Sequence, residues 1–257
     1  MIKLNSPTKF WKFPGGEVGV KLEDIQFPWC IIHMDFEGSD DILQLMNLCD
    51  ALQREYVYDI HLKMPYLPYA RQDRKCHSGE AFSLKVFVKL LASIGIKSVG
   101  CTDVHSDVAK ELFDAYDIEF CNIEQWQIAK NLPEFDYLIA PDLGSHGKAS
   151  KTWENSFSNL VTLTKTRTES GIVYDDLEDT IDGTAIILDD ICDFGGTFLA
   201  CGAMLKRTQP RMTSLNLYVT HGLLGKGTDA LFEIYDKIYV HNLMNKNLSY
   251  SDRLIEI

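Results

Sequence analysis

The chain has 257 residues, 46% hydrophobic and 24% charged, enough apolar material for one large core or two modest ones and unlike a disordered segment. A formal net charge of −12 argues against a coat on nucleic acid or an anionic membrane, since both select basic surfaces. The cysteines at 30, 49, 76, 101, 121, 192 and 201 are odd in number and include no CxxC pair, which fits neither a disulfide framework nor a zinc site and reads as reduced thiols. The N-terminus has no apolar leader, and no run approaches the ~20 apolar residues that cross a bilayer. A soluble, cytoplasmic protein is expected.

In chain order, WCIIHM (29–34) reads as a strand. A helix follows, with Ser39 as its cap, Asp40 and Asp41 in its first turn, and Ile42, Leu45, Met46, Cys49 and Leu52 at helical spacing. Residues 59–64 form the next strand, 80–93 a second helix stopped near Gly95, and SVGCTD (98–103) another strand. The polar segment 121–133 separates lobes 1–126 and 127–257. The second repeats the same grammar with strands YLIAPD (137–142), NLVTLTK (159–165), TAIILDD (184–190) and SLNLYVT (214–220). The expected fold is α/β, two similar lobes, each a mostly parallel sheet flanked by helices. Ligands of such sheets gather at the carboxyl ends of the strands, which selects loops 65–74, 103–106, 142–148, 165–168 and 189–197.

IILDDICDFGGT (186–197) is the strongest chemical signal. Asp189 and Asp190 at a strand end can accept hydrogen bonds from vicinal sugar hydroxyls, with Asp193 close behind. Gly195, Gly196 and Thr197 open a helix whose backbone N–H groups suit phosphate oxygens. A ribose phosphate satisfies both halves. MPYLPYARQDRK (64–75) offers Arg71, Arg74 and Lys75 to a triphosphate and Gln72 to a base.

The first of these stretches resembles the ribose-phosphate motif of type I phosphoribosyltransferases and of ribose-phosphate pyrophosphokinases, which make phosphoribosyl pyrophosphate. The second resembles the ATP-side motif of the pyrophosphokinases, which ordinary phosphoribosyltransferases lack. The resemblance implies a Mg²⁺-requiring transfer of the β,γ-pyrophosphate of ATP to the C1 hydroxyl of ribose 5-phosphate, a step of nucleotide biosynthesis. It implies an ATP-binding first lobe and a ribose-phosphate-binding second lobe. Asp73 joins Arg71 and Gln72 on the ATP side. TDVH (102–105) is similar to the family's DxH segment and makes His105 an ATP and Mg²⁺ residue. APDLGSHGKA (140–149) is similar to its SPDxGGxKRA loop and makes Asp142 a metal-linked group near the sugar. LTKTR (163–167) resembles the start of its mobile catalytic loop, with Lys165 and Arg167 facing the transferred group, and KFPGGEVGVKL (12–22) resembles its FSDGE segment, which gives Phe13 and Glu17 to adenine. YVTHGLLGKGTDAL (218–231) and DKIYVHNLM (236–244) resemble its closing strand, helix and strand.

Three departures fall at contact positions. Phe194 stands where the family carries a phosphate-binding hydroxyl, and the ring raises the alternative of an acceptor with a substituted 5′-phosphate, such as ADP-ribose in NAD salvage. Gly15 replaces one adenine-contacting carboxylate. The family's N-terminal strand-helix unit is largely missing before Phe13, in a short, divergent pattern like those of bacteriophages, so the homo-oligomer implied is a compact dimer or the family's hexamer. An alternative of another class is a catalytically silent regulatory homologue; Lys165, Arg167, His105 and Asp142 together argue against it.

Overall fold

Alternating burial sets the first sheet: along residues 29–34, Cys30, Ile32 and Met34 are buried while Trp29, Ile31 and His33 are exposed. In the computed structural model, which describes residues 2–4, 8–23, 28–156, 158–168 and 171–257, the chain divides into units Met1–Ile123 and Glu124–Ile257, a cut at 123/124 where the sequence suggested 126/127. The first unit contains β1 (Ile2–Leu4), a hairpin of β2 (Thr8–Lys12) and β3 (Val18–Leu22), then β4 (Trp29–Met34), α1 (Ser39–Arg54), β5 (Asp59–Lys63), α2 (Ser83–Ser93), β6 (Ile96–Thr102), α3 (Val108–Ala115) and β7 (Glu119–Ile123). Strands β4 to β7 are parallel and lie side by side in chain order, with β1 antiparallel on the β4 edge.

Two local expectations need correction. Ser39 is the first helical residue of α1 and does not cap it. The cap position is Gly38, which has no side chain, and the Asp41 carboxylate instead reaches back to accept the N–H groups of Glu37 at 2.7 Å and Gly38 at 3.3 Å. The second helix begins at Ser83, not Glu80. The Glu80 carboxylate accepts the N–H groups of Cys76 and His77, both at 2.8 Å, and so closes the preceding turn.

The second unit contains α4 (Gln125–Ala129), β8 (Tyr137–Ala140), α5 (His146–Trp153), β9 (Asn159–Thr162), a hairpin of β10 (Lys165–Thr168) and β11 (Gly171–Tyr174), β12 (Gly183–Cys192), α6 (Gly196–Thr208), β13 (Met212–Gly222), α7 (Asp229–Phe232), β14 (Ile238–Leu243) and β15 (Leu254–Glu256). Its parallel sheet has the order β15-β14-β13-β12-β8-β9. The chain steps outward from β8 to β9, then returns past β8 to β12 and proceeds the other way, so helices cover both faces. One buried cluster joins the sheet to Phe198, Leu205 and Leu231, the other to Ile128 and Ala149. Ala185 to Leu188 at the centre of β12 are wholly buried, the continuous apolar run of a strand covered twice.

NLVTLTK is not one strand. Pairing with β8 ends at Thr162, Leu163 turns into the core, and Lys165 opens the antiparallel hairpin. Conversely, β12 runs two residues beyond its paired aspartates, to Cys192.

Candidate active site

The reversal between β8 and β12 brings two of the sequence-selected loops together at the carboxyl ends of adjacent strands. Asp142, after β8, accepts the Ser145 N–H at 2.8 Å on one carboxylate oxygen and is ion-paired through the other to the Lys165 ammonium. Burial works against the Asp142 charge, but Lys165 and Ser145 outweigh it and hold the carboxyl below its usual range. Lys165 opens β10 directly opposite Tyr174 of β11, a buried core residue, so the hairpin base is fixed where the lysine meets Asp142. Arg167 lies on β10 opposite Ile172, but its side chain falls outside the described residues.

Asp189 and Asp190 lie within β12. Burial, then the neighbouring Asp190 charge and in small part Asp142, push the Asp189 carboxyl well above its usual range. Asp189 accepts the Asp190 N–H at 2.9 Å, while the buried Asp190 carboxylate pairs with Lys148 of α5 at 3.3 Å. Lys148 was not singled out in the sequence, where it is one lysine in a polar loop; only the docking of α5 gives it a carboxylate. Beyond β12, the N–H groups of Leu224 and Gly225 bond to the carbonyls of Cys192 and Asp193, both at 3.0 Å, and brace the turn. Gly195 caps α6 at φ +77°, a left-handed conformation that favours glycine, and an added Cβ would also meet Leu231 at 3.3 Å. Helix α6 starts at Gly196 and Thr197, where the first N–H groups of a helix have no intrahelical carbonyl and suit an anion. Phe194 is 59% exposed, with the Lys226 ammonium 5.6 Å from its ring centre and Gly225 beneath it, where a Cβ would come within 3.1 Å of the ring.

In the first unit, Asp73 organises the loops after β5 and β6. Its buried carboxylate accepts Arg74 Nε at 2.8 Å, Arg74 Nη2 at 2.9 Å and Ser106 Oγ at 2.7 Å. The Arg74 hydrogen bonds lower its pKa most, burial opposes them, and Ser106 and the charges of Arg74 and His105 add to the lowering, to about 2. The structure thus joins 71–75 to 103–106, two segments read as separate motifs, and Ser106 is the partner that the sequence did not reveal. Arg71, Gln72, Lys75 and His105 are exposed around this knot. Phe13, 52% exposed, and Glu17 lie on the turn of the β2–β3 hairpin, which is tied to α1 by Lys12 to Asp40 and by Asn47 to the Val18 carbonyl at 2.9 Å. His105 belongs to the first unit and Asp142 to the second.

Two outcomes follow for stability. Because the folded pKa of Asp73 is depressed, its contribution is complete above the unfolded carboxylate value of about 3.9 and is lost as pH falls towards about 2. Urea unfolding between pH 5 and 2.5 should therefore show a steeper acid loss in the wild type than in Asp73→Asn. Asp189 has the opposite sign: its raised pKa makes the folded state bind more protons, so it destabilises increasingly as pH rises above the ordinary carboxylate range. Asp189→Asn should stabilise the ligand-free protein at neutral pH by about 1 kcal/mol, an effect that thermal melts should find diminished near pH 4.

Residues 5–95 match the model of the N-terminal domain of ribose phosphate pyrophosphokinase. The chain is 28% identical over 216 residues to the ribose-phosphate pyrophosphokinase of Granulibacter bethesdensis, covering 82% of this chain and 68% of that one. It is 29% identical over 205 residues to the Bacillus subtilis enzyme of the same name, covering 76% and 64%. It thus spans about two thirds of the length of the curated relatives it matches. The fold superposes on the crystal structure of phosphoribosylpyrophosphate synthetase from Mycobacterium smegmatis with a TM-score of 0.81 at 22% identity, covering 97% of this chain and 85% of that one. In the domain model matched over residues 5–95, in its relatives at 28% and 29% identity and in its fold, the chain is similar to ribose-phosphate pyrophosphokinases.

Proposed function

We propose that this protein transfers the β,γ-diphosphate of ATP to the C1 hydroxyl of ribose 5-phosphate, giving phosphoribosyl pyrophosphate and AMP. The observation that carries the reading is the cluster at the ends of β8 and β12, where Lys165, Asp142, the Asp189–Asp190 pair and the glycine-started helix α6 converge. Asp189 and Asp190 accept the sugar's vicinal hydroxyls, and the start of α6 receives its 5′-phosphate. On the nucleotide side, Arg71, Arg74 and Lys75 meet the triphosphate, Gln72, Phe13 and Glu17 the base, and Asp73 keeps Arg74 in position.

The hydroxyl oxygen attacks the β-phosphorus as the bond to the α-phosphate oxygen breaks, and AMP departs. Alignment and charge neutralisation dominate such a step. Lys165 exchanges Asp142 for oxygens of the transferred group, and Arg167, two residues on, is assigned to neutralise charge on the same group. Among the described residues no group of three or more His, Cys, Asp or Glu is placed to hold a metal. Mg²⁺ carried with the substrate phosphates would need only one or two protein carboxylates and would keep several waters. Asp142 would serve such an ion in the second unit and His105 the ATP-bound ion in the first, and the metal would neutralise phosphate charge and acidify a bound hydroxyl.

A second reading rests on Phe194. An exposed ring with a lysine above it, beside the proposed phosphate loop, favours an acceptor whose 5′-phosphate carries a further group, such as ADP-ribose, in a route of NAD salvage.

Mass spectrometry of products from ATP, Mg²⁺ and either acceptor tests both readings. AMP with phosphoribosyl pyrophosphate supports the first, and AMP with pyrophosphorylated ADP-ribose supports the second. Absence of AMP with either acceptor rejects both and leaves the silent homologue. Lys165→Ala should lower kcat by about 10²-fold, the effect of removing one preorganised charge that stabilises a transition state. Under the second reading, Phe194→Ser should raise KM for ADP-ribose about 10-fold and leave KM for ATP unchanged, the loss of one stacked ring.

A further inference from the structure

In the first unit, Ile60 and Leu62 of β5 and Val99 and Cys101 of β6 join the helices in one core. The residues that alternate with them, Asp59, His61 and Lys63 on β5 and Ser98 and Gly100 on β6, lie on the opposite face of the sheet. The pairing of these parallel strands runs from Ile60 with Ile96 to His61 with Ser98, so the register skips Lys97. A shift of this kind re-aims a side chain. In unbroken register Lys97 would oppose His61; instead the Ser98 hydroxyl stands there, 2.7 Å from His61 Nδ1. The other ring nitrogen, Nε2, faces the Asp59 carboxylate at 3.2 Å. A carboxylate favours a proton on the nitrogen it faces, so neutral His61 carries its hydrogen on Nε2, and Nδ1 accepts the Ser98 O–H. Hydroxyl, base and orienting carboxylate thus stand in series beside a cavity of about 480 Å³ that Trp29, Ile31 and Ile123 also line. Next to Ser98 the face has a gap at Gly100, where an added Cβ would meet nothing within 4 Å, and Lys63 and Cys121 flank it on the adjoining strands.

We propose that this group is a second catalytic site, in which Ser98 takes the acyl group of a short-chain carboxylic ester. The gap at Gly100 limits the acyl group to a small one, and the apolar residues around the cavity favour an uncharged one. Ser98 Oγ attacks the carbonyl carbon as its proton passes to His61 Nδ1, and the carbonyl oxygen takes the electron pair. Lys63, beside the gap, supplies the positive charge for that oxyanion. When the oxyanion collapses, the bond to the alkoxy oxygen breaks and His61 returns the proton to it. The alcohol leaves, and the acyl group stays on Ser98 as an ester. Water, giving a proton to His61, then attacks the acyl carbon and releases the carboxylic acid, and the proton returns to Ser98. Asp59 is a positioning residue that holds the tautomer of His61. None of the three is assigned to ATP or to the sugar phosphate, so this activity stands or falls separately from the diphosphate transfer.

A biotinylated fluorophosphonate, which phosphonylates activated serines with loss of fluoride, should label the full chain at Ser98, as read by peptide mass spectrometry. His61→Ala should slow that labelling by about 10²-fold, the contribution of one general base. Asp59→Asn should slow it by about 10-fold at an unchanged half-saturating probe concentration, as a group acting through His61 would, and by less than a buried carboxylate because Asp59 is exposed. Gly100→Val should retain the wild-type circular dichroism, because the space at its Cβ is open, and should block the label. Lys165→Ala should label at the wild-type rate. 4-Nitrophenyl acetate should be hydrolysed through an acetyl group found on Ser98, and about 10-fold more slowly by Ser98→Ala. An unlabelled Ser98 in the folded wild type, equal labelling in His61→Ala, or equal hydrolysis by wild type and Ser98→Ala would each overturn the proposal.

Discussion

The arrangement of the second unit depends on how charge is balanced at the carboxyl ends of β8 and β12. A chain with a net charge of −12 can attract an anion only through cations placed locally, and here it places them against its own carboxylates. Lys165 pairs with Asp142 and Lys148 with Asp190. Without those two ammonium groups, Asp142, Asp189 and Asp190 would be like charges in a half-buried space, and even with them burial, followed by the Asp190 charge, holds the Asp189 pKa high. An incompletely compensated diacid is suited to ligands that bring hydrogen-bond donors or metal charge, and poorly suited to remaining empty. The same imbalance that lowers stability in the ligand-free protein therefore favours occupancy.

Much of this was legible in the sequence because it is carried by short, contiguous patterns. Alternation in 29–34, the apolar run into Asp189 and Asp190, and the Gly195–Gly196 start are local facts, and the strands and helix form where they indicate. What escaped is what depends on partners far along the chain. Leu48 completes the buried stripe of α1, and the hairpin β2–β3 is held by Asp40 and Asn47 of that helix. Ser106 is informative only once it reaches Asp73, and Lys148 only once α5 delivers it to Asp190. The reading of 159–165 as one strand failed because β-propensity persists through Leu163 and Thr164, whereas pairing with β8 ends at Thr162. Glu80 and Asp41 invert the usual expectation for acidic residues near helix starts: each acts through backbone N–H groups that precede it in the chain, one outside any helix.

The turn after β12 shows how an exposed aromatic ring is accommodated by its neighbours. An aromatic ring at 194 needs a place to lie, and Gly225 provides it, since a side chain there would come within 3.1 Å of the ring. Lys226 then supplies a cation over the ring that an alcohol at 194 could not hold in the same way. Residues 194, 225 and 226 thus form a set, coupled through backbone bonds that tie 224 and 225 to the turn after β12. Changing Phe194 alone leaves that set with an uncovered glycine and a lysine without its ring.

The two units use the same strand-helix grammar but differ in one topological decision, and that decision determines how each builds a binding surface. In the second, the reversal at β8 and β12 opens a crevice between diverging loops, and side chains on regular elements fill it. In the first, β4 to β7 never reverse, so no such crevice arises among them and the loops after β5 and β6 must be joined by side chains instead. Asp73 does this with three hydrogen bonds, from a buried position that a carboxylate occupies only when it is fully satisfied. The unidirectional order that requires Asp73 also puts the crossover helices on one side and leaves the other face of the sheet without a helix among the described residues. Loop assembly and open sheet face are thus two consequences of one strand order.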